Sequence, residues 1–322
     1  MDKKIAFVVV WFGKLPSYFD FWQKTCSYNK SIDFFVFTDQ PVRQSYSNVY
    51  INKITLEEFR NKASEVLGFS ANINSGYKLC DYKVAYGDIF KKYLEQYDYW
   101  GYCDIDLAFG DIMSFIKPLI CNGTDKINQM GHFCLYKNNQ AMRTLYRLDG
   151  AKWNYKTVYS DDKHYAFDEY CGMCLIVAKN NVNEQTVADY VDFDRRQKRI
   201  VCRKAKNYNR QAFIWKDGRA YQVHVAGEQS EHVVEDEKMY IHFQGRKPCF
   251  NCKSSSTIFQ IKNRQIEPKE SMHSVDYEEK KMLKTGFEIA NYYREKILSF
   301  LTCGRTERTK WLKQKAAEIW GK

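Results

Sequence analysis

Tyr99-Trp100-Gly101-Tyr102-Cys103-Asp104-Ile105-Asp106 places a run of aromatic and small residues directly before two carboxylates one residue apart. The run reads as a strand, and Leu107-Ala108-Phe109-Gly110-Asp111 after it sets the acidic pair at the lip of a buried sheet. Two residues with one between them on extended backbone project to the same side, so both carboxylates can reach one ion or its waters. The spacing alone is common, as Asp192-Phe193-Asp194 illustrates, and a solvated strand end or turn uses the same residues. Position in the fold decides what the pair means.

Working outward, residues 4–11 form a short β-branched run of the kind a buried parallel strand shows, broken by Phe12-Gly13-Lys14-Leu15-Pro16. Residues 17–27 suit a helix, 33–38 a second strand ending in Thr38-Asp39, and 49–51 a third. Thr55-Leu56-Glu57-Glu58 opens a helix with a capping-box pattern. Residues 83–97 read as one helix before the central strand. Strands are expected at 108–112 and 130–136, a helix at 138–148, and an apolar run at 173–177 that reads as a strand. Strands follow at 222–226 and 239–243, and helix from 271 onward. This order argues for an α/β layered fold with a mainly parallel sheet flanked by helices. In such sheets ligands collect outside the carboxyl ends of the strands, where Asp39 and Asp104-Ile105-Asp106 fall.

The chain of 322 residues is 44% hydrophobic, enough for a large core. Its 24 Tyr and 21 Phe suit stacking or carbohydrate-contacting surfaces as well as an aromatic-rich core. The longest apolar run, residues 5–12, falls far short of the roughly 20 residues a membrane span needs, which points to a protein made and kept in the cytoplasm. Eleven cysteines, an odd number spread through strands and helices, fit reduced thiols. The net charge of +11 is local: residues 195–219 contribute +9 and residues 291–322 contribute +5, leaving the rest at −3. Such patches attract phosphates of nucleotides, nucleic acids or anionic lipids alike.

The stretches Tyr77-Lys78-Leu79-Cys80-Asp81-Tyr82-Lys83-Val84-Ala85-Tyr86-Gly87-Asp88-Ile89-Phe90 and residues 99–112, with Phe167-Asp168-Glu169 and Tyr240-Ile241-His242-Phe243-Gln244-Gly245-Arg246-Lys247, resemble a bacterial family of GT-A-type glycosyltransferases found with polysaccharide-assembly enzymes. The resemblance covers roughly residues 4–250; Val84 stands where the family pattern has proline. It implies a GT-A, Rossmann-like catalytic domain over residues 1–265, with a nucleotide-sugar part at about 1–112 and an acceptor part at about 113–265. A basic, amphipathic C-terminal helical extension would occupy 266–322. It further implies that Val10, Trp11, Phe12, Thr38 and Asp39 lie near the base and ribose. Asp81, Lys83 and Asp104 would reach the nucleotide sugar, Lys83 as a point charge on a phosphate.

His242-Phe243-Gln244-Gly245-Arg246-Lys247-Pro248 is similar to the late His-x-x-Gly-x-x-Lys-Pro pattern of glycogenin-like transferases, one residue shorter. The resemblance makes His242 a third metal ligand beside Asp104 and Asp106, a donor set suited to Mn(II) or Mg(II), with Arg246 and Lys247 as diphosphate contacts. Asp168 and Glu169 are the candidate catalytic carboxylates, for an acceptor proton or an oxocarbenium face. A helix cap or an ion pair with the basic segment would use them equally.

The expected activity is transfer of a hexose, galactose or glucose, from a UDP-sugar to a growing bacterial surface glycan carried on a polyprenyl diphosphate. The tail at 291–322 would then rest on the inner membrane face. Two readings stand beside it: a nucleic-acid-binding protein using residues 195–219 with Tyr208, Phe213 and Trp215 interleaved, and an inactive sugar-binding relative. The basic segment lacks motif spacing, so nucleic acid is not the expected partner. Cys171, Cys174, Cys249 and Cys252 form two Cys-x-x-Cys pairs that superficially match a zinc site. The strand expected at 173–177 would face the first pair to opposite sides, which favours buried thiols.

Overall fold

The computed structural model describes residues 3–197, 199–226, 232–250 and 256–279. The chain divides into two compact units, Met1–Glu278 and Glu279–Lys322. The expected helical tail from 280 on, its membrane-facing segment 291–322 and Cys252 lie outside the described residues. The first unit begins with β1 (Ile5–Trp11), α1 (Phe19–Ser27), β2 (Ile32–Thr38), β3 (Val49–Lys53) and α2 (Leu56–Leu67). Single helical turns follow at α3 (Leu79–Tyr82), α4 (Tyr86–Ile89) and α5 (Lys91–Leu94). Then come β4 (Tyr99–Cys103), β5 (Leu107–Phe109), α6 (Ile112–Cys121), β6 (Lys126–Ile127), β7 (Phe133–Lys137), α7 (Gln140–Arg143), α8 (Tyr155–Ser160) and α9 (Met173–Lys179). The remaining strands are β8 (Glu184–Gln185), β9 (Val191–Asp192), β10 (Arg210–Lys216), β11 (Arg219–Val225), β12 (Val233–Lys238), β13 (Tyr240–His242), β14 (Ile258–Ile261), β15 (Ile266–Pro268) and β16 (Glu278–Glu279).

The main sheet has seven strands in the order β3-β2-β1-β4-β7-β6-β8. β3, β2, β1 and β4 are mutually parallel, whereas β7 runs antiparallel to both β4 and β6. The sheet is therefore mixed, with a parallel half that carries the first four strands. β1 explains its own continuous apolar run: Ala6, Val8 and Val10 pack into the core on one face, and Ile5, Phe7 and Val9 into the core on the other. Chain order reverses at β1, since β2 and β3 lie on one side of it and β4 on the other. That switch point is where a parallel sheet opens a crevice beyond its carboxyl ends.

Local chemistry sets the helix ends. The Thr55 side chain accepts from Glu58 N while Glu58 accepts from Thr55 N, and Gly68 closes α2 in the left-handed region at φ 79. The expected strand at 108–112 ends at Phe109, because Asp111 caps α6 by accepting from Ser114 N. The expected helix at 83–97 is a chain of short turns: Phe90, at φ −106 and ψ 22, interrupts it. The helix expected at 138–148 is similarly reduced to α7 and one 3-10 turn, Leu145–Arg147.

The run expected as a strand at 173–177 is helical instead. Met173, Ile176 and Val177 are buried while Leu175 is 41% exposed, a helical period that a five-residue apolar run does not reveal. At 272–274 the helical character expected from 271 amounts to a single 3-10 turn.

A second, antiparallel sheet has the order β12-β11-β10-β14-β15, so the first unit extends past the boundary expected at 265. A small third sheet, β5-β13-β9, lies beside it, tied to β10 by Trp215 Nε1 donating to Phe109 O at 2.7 Å.

Candidate metal centre

The third sheet assembles the site. β13 runs antiparallel to β5 with His242 opposite Leu107, and parallel to β9 with His242 beside Asp192. Asp106 immediately precedes β5, and its carbonyl accepts from Phe243 N at 2.9 Å. Gln244 and Gly245 then adopt φ of 49 and 73, a turn that aims Gly245 N at Asp106 Oδ2, 3.2 Å away. A left-handed non-glycine such as Gln244 is strained backbone, of the kind that persists where surrounding structure over-determines it.

Asp106 Oδ1 lies 3.4 Å from His242 Nε2, and His242 Nδ1 lies 2.9 Å from Asp192 Oδ1. Burial opposes the imidazolium charge, but Asp106 and then Asp192 raise the His242 pKa; the same pairing holds Asp106 low against the effect of its own burial. His132 stacks on His242 with ring centroids 4.3 Å apart, and its Nε2 shares a 2.9 Å hydrogen bond with Tyr240 Oη. His132 also fixes the backbone of the first acid, because Asp104 N donates to His132 O at 2.9 Å.

One donor atom each from Asp104, Asp106 and His242 lie within 4.8 Å of one another, close enough to share one ion. Two carboxylates and one imidazole suit a hard to borderline divalent cation such as Mn(II). Asp104 and Asp106 keep 34% and 17% of their side-chain surface exposed, so the group stays open to a ligand.

Lys83 links this centre to the second pair of acids. Its Nζ lies 2.5 Å from Asp104 Oδ1 and 3.7 Å from Asp168 Oδ2, and donates to Gly131 O at 2.9 Å. Burial works against its charge, but Asp104, Cys80 and Asp168 hold its pKa well above that of a free lysine. Asp168 is itself buried, and burial pushes its pKa up to about 7 against Lys83, with Glu169 and Asp104 adding repulsion. Gly131 leaves room for that carboxylate: a Cβ there would fall 2.3 Å from Asp168 Oδ2, and the acid would have to shift. Glu169 accepts from Gly131 N at 3.2 Å, and Ala166, at φ 50, starts the turn that presents both acids.

The other expected residues divide. Trp11 and Thr38 are paired across β1 and β2, and Asp39 Oδ1 accepts from Gly13 N at 2.9 Å, so Val10, Trp11, Phe12, Thr38 and Asp39 share the carboxyl edge with Asp104. Thr38 is fully buried beneath that edge. Asp81 belongs elsewhere. It is 0% exposed, paired with Lys78 at 3.0 Å, and accepts from the backbone N–H groups of Tyr165 and Phe167, which leaves no face for a nucleotide.

Arg246 donates to Asp194 O and Gln197 O at 2.9 and 2.6 Å, clamping a loop, whereas Lys247 is exposed. The basic segment does not display its rings: Phe213 and Trp215 are buried at 2% and 0%, and Tyr208 stacks on His224 at 3.5 Å. Arg196 and Arg203 are paired with Asp194 and Asp192. The nucleic-acid reading loses its stacking platform. Cys171 and Cys174 are half-buried and Cys249 is exposed, not the buried thiols expected.

Sequence reasoning passed over Asp192, Arg203, His132 and Gly131, and it cast Lys83 as a phosphate contact when it bridges two acids. Strand register brings Asp192 beside His242, and Arg203 follows through its backbone and side-chain contacts to Asp192; a single sequence carries no signal of register between distant strands.

These features define an α/β protein with a candidate divalent-cation centre at the carboxyl edge of its parallel strands. Residues 7–270 match a family described as a family of unknown function (DUF6625), and the chain belongs to it. No curated protein matches the sequence. No helix among the described residues is long and apolar enough to cross a membrane.

Proposed function

We propose that the protein is a metal-dependent glycosyltransferase of GT-A type that moves a hexose from a UDP-sugar to a glycan acceptor. The observation that carries this reading is the convergence of Asp104, Asp106 and His242 at the switch point of the sheet, beside the carboxyl ends of β1 and β2. A divalent cation held there would neutralise charge developing on the diphosphate leaving group. Val10, Trp11, Phe12 and Asp39 line the same edge and would seat the uridine, while exposed Lys247 is free to meet phosphate.

Asp168 fits the part of general base, because a carboxylate with a pKa near 7 combines the right protonation state with useful basicity. Lys83 would hold Asp104 and Asp168 in fixed relation, so that metal ligand and base keep register. Galactose or glucose as donor sugar, a polyprenyl-linked surface glycan as acceptor and the cytoplasmic membrane face as workplace rest on the sequence resemblance. Hydrolysis of a UDP-sugar panel in the presence of Mn(II), with Asp106→Ala as control, tests the reading. Turnover of at least one donor, lost in the variant, is expected; inertness toward every donor, with no UDP binding, would refute it.

A further inference from the structure

We propose that Asp192, backed by Arg203, is the positioning residue that holds His242 as the imidazole ligand of the cation. This rests on the metal-centre reading above. Parallel pairing of β9 with β13 makes Asp192 and His242 register partners, so the two side chains emerge side by side from adjacent strands. Asp192 Oδ1 lies 2.9 Å from His242 Nδ1, and Asp192 Oδ2 lies 3.4 Å from an Arg203 guanidinium nitrogen. Asp192 is 4% exposed, and its own carbonyl accepts from Arg203 N at 2.8 Å, so the carboxylate is fixed by burial, by a side chain and by backbone.

The consequence is a choice of tautomer. With Nδ1–H donated to Asp192, the lone pair available for a metal sits on Nε2, the nitrogen that faces Asp106. His132, stacked on the ring face at 4.3 Å, restrains rotation about the remaining torsion. A carboxylate behind a ligating histidine orients the ring and raises its basicity, and its loss typically costs about 10- to 100-fold in metal affinity. An asparagine at 192 would turn its amide oxygen to Arg203 and its NH2 to Nδ1. That arrangement forces the proton onto Nε2 and blocks ligation.

Mn(II) titration of the full chain, read from the EPR signal of free Mn(II), tests this alongside thermal melting. Wild type should bind the ion and Asp192→Asn should bind it roughly 10- to 100-fold more weakly at a similar Tm. Arg203→Met, at an exposed position, should weaken binding by less, and should have no effect once Asp192→Asn is present. The decisive comparison is the double variant: Asp192→Asn in a His242→Gln background should weaken binding no further than His242→Gln alone. Unchanged affinity in Asp192→Asn, or a loss additive with that of His242→Gln, overturns the assignment while leaving the metal centre intact. If wild type fails to bind Mn(II), both readings fall.

Discussion

Two clusters of carboxylate and histidine lie near each other along this chain, and both bring donor atoms within 4.8 Å: Asp81 with His164 and Asp168, and Asp104 with Asp106 and His242. The first is closed at Asp81, although His164 stands exposed. Asp81 is fully buried, with Lys78 and two backbone N–H groups on its oxygens, and Lys78 in turn donates to Val158 O and Lys163 O. The second is open, with partly exposed carboxylates and an imidazole oriented from behind. The difference teaches that proximity of ligand atoms does not make a site; what matters is whether their hydrogen-bonding capacity is already spent. Lys83 and Asp168 form the hinge between the two, since Asp168 belongs to the first cluster and pairs with the lysine that also holds Asp104 of the second.

Substitutions separate the two kinds of cluster. The largest effect should come from Asp106→Ala, which removes a ligand from the open cluster. Metal-dependent donor hydrolysis should fall by roughly 10³-fold or more, about 4 kcal/mol in barrier, with little change in Tm. Asp81→Ala should do the reverse. Leaving Lys78 buried without its carboxylate should cost about 3–5 kcal/mol of stability in chemical denaturation, a loss insensitive to added Mn(II). Should Asp81→Ala melt like wild type, the closed cluster would have to be reclassified.

Gly131→Ala tests the hinge. A methyl group 2.3 Å from Asp168 Oδ2 must displace that carboxylate, and a shift of about 1 Å can lower turnover by roughly 100-fold. Mn(II) affinity should barely change, so steady-state kinetics and metal titration should part company.

Asp168→Asn makes a prediction about pH. In the folded protein Asp168 keeps its proton up to about 7, against 3.8 ordinarily, so the folded state binds more protons than the unfolded one between those limits. Stability from this group is therefore greatest below pH 3.8 and declines as pH rises toward 7. The asparagine variant should gain Tm over wild type at pH 8 and gain little near pH 4, as calorimetry at both values would reveal. Wild-type turnover should rise as pH passes through about 7, and the variant should lack that step.

The smallest effect belongs to a remote control. Thr55→Ala removes the α2 capping box and should cost about 1 kcal/mol with unchanged metal binding.

Much of the fold could be read locally. The β1 run, the Thr38-Asp39 strand end, the α2 capping box and the strand leading into Asp104 all appear where composition and spacing put them, because each is decided by its own few residues. The misreadings arose where tertiary packing overrides local pattern. The apolar run of α9 passed for a strand, and the segment from Lys83 to Leu94 breaks into turns that swing Lys83 inward toward two acids.

At the site, Asp104, Asp106 and His242 were nameable from motif and resemblance, yet Asp192 was not. Asp192-Phe193-Asp194 is an ordinary Asp-x-Asp in sequence; it acquires meaning only because β9 lies parallel to β13. Asp81 shows the opposite error, since a motif position close to Lys83 in sequence turns away into the core.

The most direct test of the central claim is calorimetric titration of UDP into the full chain with and without Mn(II), in wild type and in Asp106→Ala. UDP binding that requires Mn(II) and disappears in the folded variant is the predicted result. Binding of equal strength without the metal, or retained in Asp106→Ala, would contradict the assignment of Asp104, Asp106 and His242 as the cation site of a glycosyltransferase.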